Sequence, residues 1–175
     1  MAIANVERLQ RAWAEPGSFT TAIATVDHKR IGVRYLVTAT VFFLLAGIEA
    51  LTLRTQLAEP GEHVLSPEAY DQLFSMHGIT MIFLFVTPML SGFGNYFVPL
   101  QLGARDMAFP RLNALGYWIF LASGLFIYSS IVIGKAPDDG WFNYAPLSLS
   151  SHGPNIDFYG LGLIFLGLSS TAGAI

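Results

Sequence analysis

No cysteine occurs in the 175 residues, so disulfides and thiolate metal sites are excluded and no redox-compartment signal exists. Charge is scarce too: 12% of residues are charged and 53% are hydrophobic. A soluble domain of this size would need far more charge to cover its surface, so the composition is that of a membrane protein. The net charge of -3 carries little information about partners, and no nucleic acid is expected among them. The first 30 residues mix polar and charged types and lack the apolar run of a cleavable signal peptide. Targeting therefore falls to the first hydrophobic span. Internal repeats and low-complexity tracts are absent as well.

The gaps between charges locate the spans, because a charge in hydrocarbon costs roughly 2.5 kcal/mol or more. Four stretches stand out: 35–53, interrupted only by Glu49, then 72–104, 112–134 and 158–175. Each approaches or exceeds the ~20 residues needed to cross the apolar core. The second is long enough for a full span plus an interfacial turn, and Pro88, Gly92 and Gly94 allow it to bend. The expected fold is thus an all-α membrane protein with about four transmembrane helices. Residues 1–30 form a cytoplasmic N-terminal segment and residues 31–175 form transmembrane helices 1–4.

Orientation follows from the basic residues. Arg8, Arg11, Lys29, Arg30, Arg34, Arg105 and Arg111 fall on the side of the N-terminus and the second loop, against Arg54 and Lys135 on the other. This bias puts the N-terminus inside. Most acids gather at the opposite face: Glu59, Glu62, Glu68, Asp71, Asp138, Asp139 and Asp157. The 135–155 connection is rich in Pro, Gly, Ser and Asn and reads as an outer loop. The fourth span runs to "SSTAGAI" without the basic residues or polar loop expected where a helix emerges inside, so the chain is expected to be a piece of a longer protein.

Within "FSMHGITMIFLF", residues 74–85, His77 stands among apolar side chains. At about 1.5 Å per residue it lies roughly 9 Å along the helix from Asp71, in the outer half of the membrane. It is either a structural histidine bonded to a neighbouring helix or a metal ligand, since intramembrane ionisable residues are functional candidates by default. Gly78, Gly92 and Gly94 would let another helix or a flat cofactor approach the backbone. Arg54, ending the first span, either snorkels to the interface or donates to a buried cofactor. The histidines are at 28, 63, 77 and 152, which leaves one candidate ligand in the membrane interior. A bis-histidine haem is not completed within these residues, and a self-contained dihaem cytochrome b is excluded. At the inner face, Asp106 is either a loop acid balancing Arg105 and Arg111 or an acid collecting protons at the mouth of a bundle. Asn95 and Asn113 are open to ordinary helix capping, and Ser169 and Ser170 to bonding their own backbone.

The block "MHGITMIFLFVTPMLSGFGNYFVPLQLGARDMAFPRLN", residues 76–113, closely resembles subunit I of the haem-copper terminal oxidases, in particular the branch of bacterial and mitochondrial cytochrome c oxidases. "TVDHKRIGVRY", "LRTQL" and "SSTAGAI" match the same family in the same order. The resemblance implies the first third of a twelve-helix bundle. It makes His77 an axial ligand of a low-spin haem and Arg54 a hydrogen-bond donor to a haem substituent, a formyl group where the haem is of A type. The partner ligand, the second haem and copper B would belong to later helices. Asp106 matches the acid at the mouth of the family's proton-uptake pathway, and Asn95 and Asn113 match the asparagines that form its narrow polar gate. Tyr35, Ser169 and Ser170 match positions along the same path. His28 falls in the family's "HK-IG-Y" pattern, which fixes the inner end of helix one.

The family implies an enzyme that reduces O2 with electrons from cytochrome c and pumps protons, with subunit II and subunit III as partners, in the inner membrane of a bacterial cell. A quinol-oxidising relative is the alternative: Glu49 and Gln72 fill two places of its quinone site, but Leu45 and Ala69 occupy the other two. Gln56 replaces an acid of members that hold a structural cation near the first outer loop. A nitric-oxide-reducing relative generally lacks the acid at Asp106. A non-catalytic four-helix protein is the remaining alternative, and these 175 residues alone are not expected to be active.

Overall fold

A computed structural model describes residues 23–61, 63–150 and 153–174. Most of the expected cytoplasmic segment 1–30, with Arg8 and Arg11, lies outside the described residues, as do Glu62, His152 and Ile175. The described residues are all helical or irregular, with no strand among them. Helix α1 spans His28–Gln56, α2 Pro67–Ile79, a π-helical segment Thr80–Val86, α3 Thr87–Gln101, α4 Pro110–Ile133, the single turn α5 Leu147–Ser150 and α6 Asn155–Ala174. Four spans are long and apolar enough to cross a membrane: α1, the continuous Pro67–Gln101 rod, α4 and α6.

Local chemistry sets the helix ends. The Asp27 side chain accepts the Lys29 N–H at 2.9 Å and starts α1, satisfying an otherwise orphaned donor of the first turn. Ser66 does the same for Ala69 at 3.2 Å, with Pro67 in the first turn of α2, where its missing N–H costs nothing. Gly134 closes α4 in the left-handed region at φ 72°, and Lys135 N–H returns to the Ser130 carbonyl at 2.9 Å. The helices run beyond the charge gaps because an interfacial turn keeps its hydrogen bonds whether or not its side chains are charged.

The second span is where helix geometry departs from expectation. Pro88 has no N–H and its ring crowds the carbonyl four residues earlier. The chain responds before the proline by widening its turns: Thr87 N–H reaches back five residues to the Ile82 carbonyl, which also accepts Thr87 Oγ1 at 2.9 Å. Gly92 serves close packing instead. It lies against α1, where the Gly32 carbonyl oxygen is 3.1 Å from the place of a Cβ.

Packing pairs α4 with α6, and α1 with α3, the π-helical segment and α2. Ile31, Tyr35, Phe42, Met76, Ile79, Leu84, Phe120 and Ile127 form the core. Tyr35 stacks on Phe120 at 5.4 Å between centroids and meets Tyr117 edge-on at 5.2 Å. The polarity is inverted relative to a soluble bundle. Leu51, Leu90 and Val132 stand outside, whereas Glu49, Asn95, Asn113, Ser123 and Ser169 are buried. Such a surface suits lipid, and interior polar groups must then find partners within the bundle.

Candidate functional site

One group of predicted residues, Tyr35, Asn95, Ser169 and Ser170, comes together around a cavity, whereas His77 stands apart from it toward the other end of the bundle. Toward the outer end, His77 sits in the last turn of α2, just before the π-helical segment. It lies ten residues from Pro67, about 15 Å along the axis. Its Nδ1 is 3.0 Å from the Ala46 carbonyl of α1. A carbonyl only accepts, so Nδ1 carries the proton and Nε2 keeps its lone pair. Fixing the imidazole through the far nitrogen is how ligating histidines are oriented. The donor chemistry therefore fits a haem iron. Among the described residues, no cluster of three or more His, Asp or Glu side chains gathers to hold a metal ion by itself.

The space beside Gly78 is taken by neither a helix nor a cofactor: the Trp141 side chain lies 3.0–3.3 Å from the place of a Cβ. The loop carrying Trp141 is latched on both sides. Gly140 N–H donates to Ser75 Oγ at 2.7 Å, and Tyr159 OH donates to the Trp141 carbonyl. Arg54 lies eight residues past Ala46 in the last turn of α1 and is exposed. It makes no hydrogen bond to His77 among the described residues.

At the inner end, Tyr35 of α1, Asn95 of α3, and Ser169 and Ser170 of α6 line one cavity of about 580 Å³ together with Met107. The Asp106 carboxylate accepts the Met107 N–H at 2.8 Å, and Met107, not Asp106, lines that cavity. Ser169 Oγ donates across to the Gly116 carbonyl of α4 at 2.7 Å and is also a side-chain partner of Tyr35. Ser170 Oγ bonds its own helix at Leu166, so the backbone alternative holds for Ser170 and not for Ser169.

Neither asparagine caps a helix. Asn95 lies inside α3 and donates to the Ser91 carbonyl at 2.9 Å. Asn113 follows a helix start at Phe109 that has no side-chain cap. Asn95 Oδ1 and both polar atoms of the Asn113 amide are buried without a partner. Buried amides are nearly always satisfied, so these three atoms are places for water. Asn113 does not line the large cavity. His28 is 1% exposed, and its Nδ1 bonds the Asn95 carbonyl at 2.7 Å, docking the inner end of α1 onto α3.

One group goes beyond the sequence reading. Tyr128 OH donates to Glu49 Oε1 at 3.1 Å and pairs with Thr80 Oγ1 at 3.0 Å, joining α1, α4 and the π-helical segment. Glu49 was legible as the one charge inside the first span, but nothing in the spacing pointed to Tyr128.

An all-helical membrane chain with a half-buried, oriented histidine on its second span and a largely apolar cavity into which Tyr35, Asn95, Ser169 and Ser170 bring polar groups is the class these features define. The model of the family described as cytochrome c and quinol oxidase polypeptide I matches residues 30–175, and the chain belongs to that family. It is 51% identical to cytochrome c oxidase subunit 1 of Bacillus subtilis over 153 residues, covering 87% of this chain and 25% of that protein. It is 49% identical to putative cytochrome c oxidase subunit 1-beta of Streptomyces coelicolor over 154 residues, covering 86% and 27%. Against cytochrome c oxidase polypeptide 1 of Halobacterium salinarum the identity is 44% over 163 residues, covering 92% and 28%. The chain spans about a quarter of the length of these curated relatives.

Proposed function

We propose that this chain is the N-terminal part of the catalytic subunit of a proton-pumping terminal oxidase that reduces O2 to water with electrons from cytochrome c. In this reading the protein is a multi-pass component of the bacterial cell (inner) membrane, assembled with subunit II and subunit III. His77 Nε2 would ligate the iron of a low-spin haem, and Arg54 would donate a hydrogen bond to a haem substituent. When bound, that haem, of A type by the resemblance, supplies an iron with two imidazole ligands, suited to electron transfer rather than oxygen binding. The second imidazole, the second haem and copper B belong to the part of the relatives that lies beyond this chain.

The observation that carries the reading is the His77–Ala46 hydrogen bond. It leaves one nitrogen of an intramembrane imidazole with a lone pair and a fixed direction. At the inner face, Asp106 takes protons from the cytoplasm and passes them by water held at Asn95 and Asn113. Tyr35, Ser169 and Ser170 line the continuation of that route. The three unpartnered amide atoms support the water path, since a chain of waters needs such donors and acceptors. Glu49 supports cytochrome c over quinol as donor. Its carboxylate is 6% exposed and turned to Tyr128, away from the lipid through which a quinol would arrive.

Two substitutions in the full-length protein test the two halves. His77→Ala is expected to abolish the low-spin haem band in the optical spectrum, and an unchanged band with normal turnover would overturn the ligand assignment. Asp106→Asn is expected to slow turnover or abolish pumping, whereas full pumping at the normal rate would remove Asp106 from the path.

A further inference from the structure

The hydroxyl of Tyr128 ties three elements together close to His77. A hydroxyl carries a single hydrogen, and Tyr128 gives its own to Glu49 Oε1 at 3.1 Å. In its 3.0 Å pair with Thr80 Oγ1 Tyr128 therefore accepts, so the bonds run one way, from Thr80 to Tyr128 to Glu49. Four threonines of the spans, Thr40, Thr52, Thr55 and Thr171, bond the carbonyl four residues back on their own helix. Thr80, fully buried, reaches α4 instead. Glu49 is 6% exposed and its Oε2 has no partner, so among the described residues the Tyr128 hydroxyl is what holds the carboxyl in place. An ionisable group retained inside a span is costly and marks a function.

We propose that Tyr128, with Thr80 and Glu49, is a positioning network that fixes the direction of the His77 imidazole; it rests on the reading of His77 as a haem ligand. Two rungs join α1 to the second span here. One is the 3.0 Å bond between His77 Nδ1 and the Ala46 carbonyl. The other lies three residues further along each helix, where Glu49 reaches Thr80 through Tyr128. A single rung fixes a distance and leaves the helices free to turn about it, whereas two on neighbouring turns also set the rotation of one helix against the other. The place of Thr80 matters as much as its bond. It opens the π-helical segment directly after α2. A π turn holds more residues than an α turn, so where the boundary falls sets how far the residues ahead of it, His77 included, are rotated about the axis. Tying Thr80 to α4 holds that boundary. Tyr128 is itself steadied by Phe42 of α1, with ring centroids 5.4 Å apart. Thr80, Tyr128 and Glu49 thus act through the two helices that carry His77 and its Ala46 partner.

The test uses the full-length protein in detergent and reads its ferric low-spin signal by electron paramagnetic resonance, because the g-values of an iron with two imidazole ligands follow the angle between the imidazole planes. Tyr128→Phe removes one hydroxyl and keeps the ring against Phe42, and Thr80→Val keeps the branched shape. Both are expected to displace and broaden the g-values while the signal keeps its integrated intensity. Glu49→Gln still offers an amide oxygen to Tyr128 and should keep the parental g-values, whereas Glu49→Ala should resemble Tyr128→Phe. Parental g-values in either Tyr128→Phe or Thr80→Val overturn the proposal. A displacement in Glu49→Gln as large as that in Glu49→Ala also overturns it, since charge and not the hydrogen bond would then be responsible. His77→Ala separates this failure from failure of the haem reading: loss of the low-spin signal upholds the ligand, and its persistence removes the ligand and the network together. Retention of the helical circular dichroism by the variants keeps a folding defect from imitating a displacement.

Discussion

Gly32 sits where α1 and α3 touch backbone to backbone. A Cβ there would lie 2.9 Å from the Gly92 carbonyl oxygen and 3.1 Å from the Tyr96 nitrogen, and main chain cannot swing aside as a long side chain can. Gly32→Ala is therefore expected to destabilise the bundle by about 1–3 kcal/mol, read as a lower unfolding temperature of the purified protein. Asp27 offers a pH-dependent counterpart. Partial burial alone would raise its pKa, but the Lys29 side chain, the Lys29 backbone N–H and the positive charges of Lys29 and His28 together hold it below the usual carboxylate range. A lowered folded-state pKa means that the stabilisation is complete above the unfolded value of about 3.9 and is lost as pH falls through the lower folded value. Replacing the cap by Ala should cost about 1 kcal/mol at neutral pH, and the gap in unfolding temperature between the two proteins should close below about pH 4. At this scale the sequence was informative about position more than partnership. Tyr35, Asn95, Ser169 and Ser170 were identified through resemblance, and they do share a cavity. That Ser169 bonds across to α4 while Ser170 bonds its own turn depends on which face of α6 meets Gly116, and the near-uniform apolarity of that helix hides its faces.

The helices were legible where physics writes them as the absence of charge, and less so at their ends. Gaps between charges report the hydrocarbon core, whereas helices stop where hydrogen-bonding partners run out, as at Asp27, Ser66 and Gly134. The π-helical turns at Thr80–Val86 were foreshadowed only as a bend near Pro88. A proline announces that a carbonyl will lose its partner, but not whether the chain kinks or widens its turns to compensate. Gly134 supplies the prediction that belongs to elements. Its φ of 72° closes α4 and leads directly into the 137–143 loop. Gly134→Ala should cost about 1 kcal/mol through left-handed backbone strain, measurable as a reduced unfolding temperature.

Across the whole molecule, the distribution of charge assigns every site to a side of the membrane. The proposed orientation, with Asp106 at the cytoplasmic mouth and the Asp138–Asn143 loop outside, rests on seven basic residues on one side against two on the other. Inverted polarity accounts for the rest of the arrangement: lipid accepts Leu51, Leu90 and Val132, so the interior is free to hold Glu49 and the asparagines. The 175 residues contain no cysteine, so a cysteine introduced among them is the one thiol they contribute, and sidedness is measurable once any cysteine elsewhere in the protein has been replaced. Ala58 and Ala104 are both exposed and lie at opposite ends of the bundle, after α1 and after α3. A membrane-impermeant maleimide applied to intact cells should label Ala58→Cys at once and Ala104→Cys only after the membrane is opened. The reverse pattern would place the N-terminus outside and Asp106 on the wrong face for proton uptake from the cytoplasm.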